Sequence, residues 1–213
     1  MWSSEVTNMI ITGIWETLYM TLVSTLVGYV IGLPMGIILT VSDKDGIKPN
    51  AVLYKILDVI ANIVRSVPFI ILLVLLIPFT RLVVGKSYGS TATIVPLVIA
   101  AAPYIARMVE SSLKEVDAGV IEAARSMGAS NFTIITKVML VEARTSLLVG
   151  ATITLGTILG YSAMSGAVGG GGLGAIAIRY GYTRWQTDIM IVTVILLIIL
   201  FQIFQTVGMK LAD

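Results

Sequence analysis

The run Val168-Gly-Gly-Gly-Gly-Leu-Gly174 has the G-x-G-x-x-G spacing with which a backbone can cradle a pyrophosphate. That chemistry needs a strand before the glycines, whereas here they close an apolar segment, and no Gly-Lys-Ser/Thr follows as in a Walker A loop. The run reads instead as a turn whose backbone is free to be tight or mobile. Other reactive groups are scarce. The chain has no cysteine and no histidine, which removes thiol nucleophiles, disulfides and the commonest general base and metal ligand. Glu16 and Asp188 lie only at the edges of apolar stretches, and no carboxylate or lysine lies within one. Proton-coupled carriers place acids inside the membrane, so this pattern argues against that class. What remains inside is polar but uncharged: Thr152, Thr154, Thr157, Tyr161, Ser162 and Ser165 in one stretch, Gln202 and Gln205 in another. Tyr161 and Met164 are three apart on one helical face, just before the glycines, and with Ser165 are the candidates for a pathway or gate. Packing in a helical core explains the same residues.

The elements that would position these groups follow from composition. Of 213 residues, 57% are hydrophobic and 12% charged, with a mean hydropathy of +0.97. Soluble domains carry about twice that charge, and disordered chains have the opposite bias. An integral membrane protein, all-α, remains. Uncharged stretches run over Thr17–Ser42, Ser87–Ala106, Thr145–Ile178 and Ile189–Met209. The third is long enough for a helix plus a re-entrant piece. A shorter one, between Arg65 and Arg81, reaches span length if extended to Gly85 and if both arginines snorkel to the interfaces. Five transmembrane helices are expected, at about 15–41, 66–85, 88–107, 145–165 and 188–209, in one domain covering 1–213. The start, Met1-Trp-Ser-Ser-Glu5, lacks the basic stretch of a secretory signal, so the first span is expected to be retained.

Five spans put the termini on opposite sides. Lys44, Lys48, Lys55, Arg65, Arg107, Lys114, Arg125, Lys137, Arg144 and Lys210 then share one side; Arg81, Lys86, Arg179 and Arg184 share the other. The positive-inside rule places the N-terminus outside and the C-terminus inside. Trp2, Trp15 and Trp185 fall near outer span ends, as an interfacial belt would. Net charge is only +2, giving no field for nucleic acid.

The inner loop from Arg107 to Arg144 holds ten of the charges, five of each sign. Asp117 can N-cap a helix over 118–127, Gly128 sits where a C′ glycine ends one, and Ser130 or Asn131 can cap a second helix to Leu140. The loop is therefore expected to fold as a helix-turn-helix over about 117–140. In the first span, Gly28, Gly32 and Gly36 form a small-xxx-small ridge for close helix approach, within one subunit or between two; Gly156 and Gly160 read the same way. Pro34, Pro68, Pro78, Pro96 and Pro103 lie in or beside spans, where kinks survive only if buried or lining a cavity. Kinks and ridges together suit a conduit better than an anchor.

Ile121-Glu-Ala-Ala-Arg-Ser-Met-Gly128, followed by Val138-Met-Leu140, resembles the EAA loop of ABC importer permeases. Glu122, Ala123, Ala124, Gly128, Val138 and Leu140 match; Val141 stands where that pattern has proline. Arg65-Ser-Val-Pro68-Phe69 resembles the entry to a span in amino-acid-type importers. Trp15-Glu-Thr-Leu, Ala102 to Glu110 and Gly160 to Gly169 resemble the permeases of methionine importers, so the likeness covers nearly the whole chain. The resemblance implies a type I ABC importer permease fold with five spans and a place in a bacterial cell membrane as a multi-pass protein. It implies a homodimer of permeases, two cytoplasmic ATPase subunits and an external substrate-binding lipoprotein as partners, with alternating access driven by ATP. ATP and magnesium would sit on the ATPase partner, and no cofactor on this chain. Asp117, Glu122, Ala123, Ala124 and Gly128 would form the ATPase-coupling surface, and methionine would be the solute. The alternatives are a permease for another amino acid or a betaine, a stand-alone channel or secondary carrier, and a structural anchor.

Overall fold

The computed structural model describes residues 4–212; Trp2 lies outside them. Every described regular element is helical. Helix α1 (Ser4–Ser42) is joined by a short charged loop to α2 (Ala51–Ser66). Then come α3 (Phe69–Leu75), α4 (Ile77–Val84) and α5 (Ser90–Lys114). The helix-turn-helix is α6 (Ala118–Ser126) and α7 (Asn131–Thr133), which runs through a π-helical Ile134–Met139 into α8 (Leu140–Glu142). Helix α9 (Arg144–Ser165) leads through the glycine turn to α10 (Gly172–Ile176) and a π-helical Ala177–Tyr182. Helix α11 (Thr187–Ala212) ends the fold.

Four of these segments are long and apolar enough to cross a membrane: Ser4–Ser42, Ser90–Lys114, Arg144–Tyr182 and Thr187–Ala212. The pair α2 and α3, bent by 102° at its break, is a possible fifth. The short span expected over 66–85 is therefore built differently. Pro68, with no N–H to donate, starts α3, and the chain breaks again at Leu76 before α4. The segment before it, expected as a loop from its lysines, is the helix α2. The Asn50 side chain accepts the Leu53 N–H at 3.1 Å and so caps it. Val52, Ile56, Val59, Ile60 and Ile63 form an exposed apolar face along it.

The glycine ridge of α1 packs within the subunit. A Cβ on Gly32 would lie 2.6 Å from the Ala102 carbonyl oxygen, and one on Gly36 would lie 2.6 Å from that of Ala106. Backbone meets backbone there, so α1 and α5 are in closest contact along Gly28, Gly32 and Gly36. Gly156 similarly admits Phe201 of α11. Gly160 makes no such approach inside the subunit, for no atom of the chain lies within 4 Å of its would-be Cβ. A buried cluster with Met20, Leu97, Ile105, Val109 and Ile158 fills the bundle and continues into Ala124, Ile134 and Met139 of the helix-turn-helix. The helix-turn-helix thus shares one close-packed core with the long helices, which transmits displacement rather than absorbing it.

Candidate functional site: the coupling loop and the pathway residues

The helix-turn-helix owes its shape to two caps. Asp117 is extended, and its carboxylate accepts the Gly119 N–H at 2.7 Å, starting α6. At the other end Gly128 has φ +80°. Its N–H reaches the Arg125 carbonyl at 3.0 Å, and the Ala129 N–H reaches that of Ala124 at 3.1 Å. This pair of bonds is a Schellman motif, and its left-handed residue favours glycine. Ser130, one of the two candidate caps, accepts the Thr133 N–H at 3.2 Å and starts the second arm. With Val141 in place of proline, that arm continues past Leu140 to Glu142.

Glu122, Ala123 and Gly128 are exposed on this surface, but Ala124 is buried. It belongs to the cluster containing Ile134 and Met139, so only one of the two alanines faces outward. The second was expected at the surface; the helical period turns it toward the other arm. Two further residues mark the surface. Met127 and Phe132, on either side of the glycine turn, are 82% and 75% exposed. Apolar side chains held outward on a capped turn suit a protein partner. Their signal in the sequence was their adjacency to Gly128. Arg125 donates to the Ile47 carbonyl at 2.7 Å, tying α6 to the loop between α1 and α2.

Above this loop lies an ion-pair network that the sequence did not announce. Glu110, 5% exposed, accepts from Arg107 at 2.7 Å and from Lys114 at 2.8 Å. Arg107 also pairs with Asp58 of α2, and Lys114 reaches Asp43 at 2.7 Å. The Tyr54 hydroxyl donates to Glu110 at 3.3 Å. The network fastens α2 and the end of α1 to α5. The Lys114 ammonium holds the Asp43 carboxyl below its ordinary value, chiefly through their hydrogen bond.

The pathway candidates do not form one cluster. Tyr161 is half-buried and stacks on Phe69, ring centroids 4.4 Å apart. Met164 is 52% exposed. Ser165 is fully buried, and its hydroxyl donates to the Ser162 carbonyl at 2.6 Å. The hydroxyls of Thr152, Thr154 and Thr157 donate to carbonyls four residues back, as threonines in membrane helices commonly do. The glycine run is a tight turn. Gly169, Gly171 and Gly172 have positive φ. The Gly172 N–H donates to Glu16 at 2.7 Å and the Leu173 N–H to Thr17 at 2.9 Å, so two α1 side chains cap α10.

Four helices long and apolar enough to cross a membrane, with a capped helix-turn-helix packed into their core, have the build of a membrane-embedded subunit. Residues 28–209 match the family described as binding-protein-dependent transport system inner membrane component. The chain belongs to that family. It is 49% identical over 207 residues to the probable D-methionine transport system permease protein MetI of Vibrio cholerae, covering 97% of this chain and 92% of that one. It is 52% identical over 158 residues to the D-methionine transport system permease protein MetI of Escherichia coli K12, covering 74% and 73%. Among solved structures, an inward-facing MetNI methionine ABC transporter matches with a TM-score of 0.97 at 50% identity, covering 99% of this chain and 98% of that one.

Proposed function

We propose that this chain is the permease subunit of an ATP-driven methionine importer, and that it works as a homodimer with two ATPase subunits and an external binding protein. The observation that carries this reading is the loop from Asp117 to Glu142, whose two arms are capped, joined by a Schellman glycine and packed into the transmembrane core. A partner gripping Glu122, Ala123, Met127 and Phe132 would move the spans as a body, which is what alternating access requires. Likeness to methionine permeases along almost the whole chain supports the substrate.

In this reading the N-terminus is outside and the C-terminus inside, in a bacterial inner membrane. There are five spans, α3 and α4 in series forming the second. Their 69–84 stretch is about 24 Å long, short for a bilayer core of about 30 Å, and α2 would lie at the inner interface before it. ATP and magnesium belong to the ATPase. Tyr161, stacked on Phe69, is the pathway residue; Met164 is exposed beside it, and Ser165 shapes the turn behind them.

Vesicles containing the permease, its ATPase and its binding protein test this. Methionine should accumulate inside only with ATP, and the D and L forms should compete. Uptake by the permease alone, driven by an ion gradient, would overturn the reading in favour of a secondary carrier.

A further inference from the structure

Helix α2 is amphipathic the wrong way round for water. Tyr54, Asp58 and Asn62 recur every four residues and turn toward α5. The Tyr54 hydroxyl donates to Glu110, Asp58 pairs with Arg107, and Asn62 accepts from Arg107 at 3.0 Å. Ala61, beside them on the helix, is fully buried. The opposite face carries Val52, Ile56, Val59, Ile60 and Ile63, all exposed. The polar face is thus fastened to the protein, and the aliphatic face is held outward. Such a contiguous apolar patch calls for something to cover it.

The direction of α2 suits a membrane surface. Helix α3 leaves it at 102°. In the topology proposed above, α3 and α4 cross the membrane, so α2 runs close to the membrane plane at the inner leaflet. The charges around it have one sign to spare. Asp43 is held by Lys114, Asp58 by Arg107, and Asp45 lies beside Lys44. Lys48, Lys55 and Arg65 are exposed and carry no ion pair among the described residues. Lys55 borders the same shallow groove as Val52, Ile56, Val59 and Ile60. An aliphatic face edged by free lysines is the pattern of a helix on an anionic bilayer.

A second copy of the chain fits this face less well. Helix seams in membranes use small residues that let backbones meet, as Gly28, Gly32 and Gly36 do in α1. The five outward residues of α2 are all β-branched, and none is small.

We propose that α2 binds anionic phospholipid of the inner leaflet, with acyl chains against Val52, Ile56, Val59, Ile60 and Ile63 and phosphates on Lys48 and Lys55. Each lysine near an anionic surface is worth about fivefold in affinity, so the pair selects anionic over zwitterionic headgroups. This goes beyond the importer reading and rests only on its topology.

Because the chain has no cysteine, a single one reports on the face. Ile60→Cys carries a bimane on the permease, assembled with a cysteine-free ATPase in phosphatidylcholine nanodiscs. A small fraction of the lipid is replaced by phosphatidylglycerol or by phosphatidylcholine, brominated on its acyl chains. Brominated phosphatidylglycerol should quench the bimane several-fold more than an equal amount of brominated phosphatidylcholine. That preference should disappear when Lys48→Gln and Lys55→Gln are combined, and in high salt. A bimane on Ile198→Cys, at an exposed position of α11, should be quenched alike by both lipids. If Ile60→Cys does not assemble, Ile63→Cys takes its place. Equal quenching by the two lipids at α2 overturns the anionic site. Quenching by neither means that protein covers the face, and overturns it too. Methionine uptake by the unmodified complex is read separately; its failure would overturn the importer reading and leave the quenching result standing.

Discussion

The two glycine turns of this chain use the same residue for different reasons. At the turn after α6, the inner one in the proposed topology, no atom lies within 4 Å of a Cβ built on Gly128; only its φ of +80° calls for glycine. At the turn before α10, the outer one in the same topology, Gly172 has φ +73°, and its Cβ would also lie 2.9 Å from Met20. Gly174, with ordinary backbone angles, has Ala163 backbone atoms where its Cβ would be. One turn is a conformation presented to solvent. The other is a close contact inside the bundle. The surroundings differ in kind as well. Ion pairs fasten the inner end, while peptide N–H groups donating to Glu16 and Thr17 fasten the outer one.

Gly174→Ala strikes the outer contact and carries the largest expected effect. Its methyl would press on the backbone of Ala163, which cannot rotate away, so a loss of about 3 kcal/mol or more is expected. Thermal unfolding and yield of the purified complex measure it; a near-native melting temperature would mean the contact is looser than it looks. Arg107→Met tests the inner end by leaving Glu110 buried without its closest cation. Breaking a buried pair costs about 3–5 kcal/mol, reduced here to about 2 because Arg107 is partly exposed. Adding Glu110→Gln should recover much of that, and proteolysis of α2 should rise in the single variant only.

Gly128→Val should cost less in stability, about 1–2 kcal/mol for a β-branched residue held left-handed. Its expected signature is functional: methionine uptake falls several-fold while ATP hydrolysis persists, because the docking turn is reshaped rather than the core. Normal uptake in vesicles would remove this turn from the coupling surface. Asp43→Asn is the mildest. Since Lys114 lowers the Asp43 carboxyl, that group stabilises the fold above its unfolded value near 3.9. The contribution fades only as pH falls through the lowered folded value. The variant should therefore melt slightly lower than the parent at neutral pH, and the gap should close in acid. High salt should likewise soften the inner end and leave the outer one unchanged.

Much of the inner loop was legible because its signals are local. Asp117, Gly128 and Ser130 cap and turn the chain within a few residues of themselves. The apolar stretches behind α1, α5, α9 and α11 were legible by length, and a re-entrant piece after α9 was allowed by its excess. Helix α2 was missed because Lys44, Lys48 and Lys55 drew the eye to charge, although Val52, Ile56, Val59, Ile60 and Ile63 already carried a helical period. Other features are not local at all. The partners of Glu16 and Thr17 are 156 residues away. Arg65 was read from its neighbours in sequence as a residue at a span end; its neighbours across the fold, Ala100 and Tyr104 of α5, follow from the 102° bend after α2. The outward face of only one alanine in Glu122-Ala-Ala124 depended on where the second arm would lie.

Helices α1 and α5, locked together along the glycine ridge, are unequal in length. The uncharged stretch of α1, Thr17 to Ser42, is about 39 Å long, whereas that of α5, Ser90 to Ala106, is about 26 Å. Only the shorter one fits within a bilayer core of about 30 Å without leaning. The longer one fits by tilting about 40°, the upper end of what membrane helices adopt. Two elements clasped so closely cannot each choose an angle, so the lipid chooses for both. Acyl-chain length therefore becomes a variable of this machine, with thicker membranes drawing the pair upright and thinner ones laying it over.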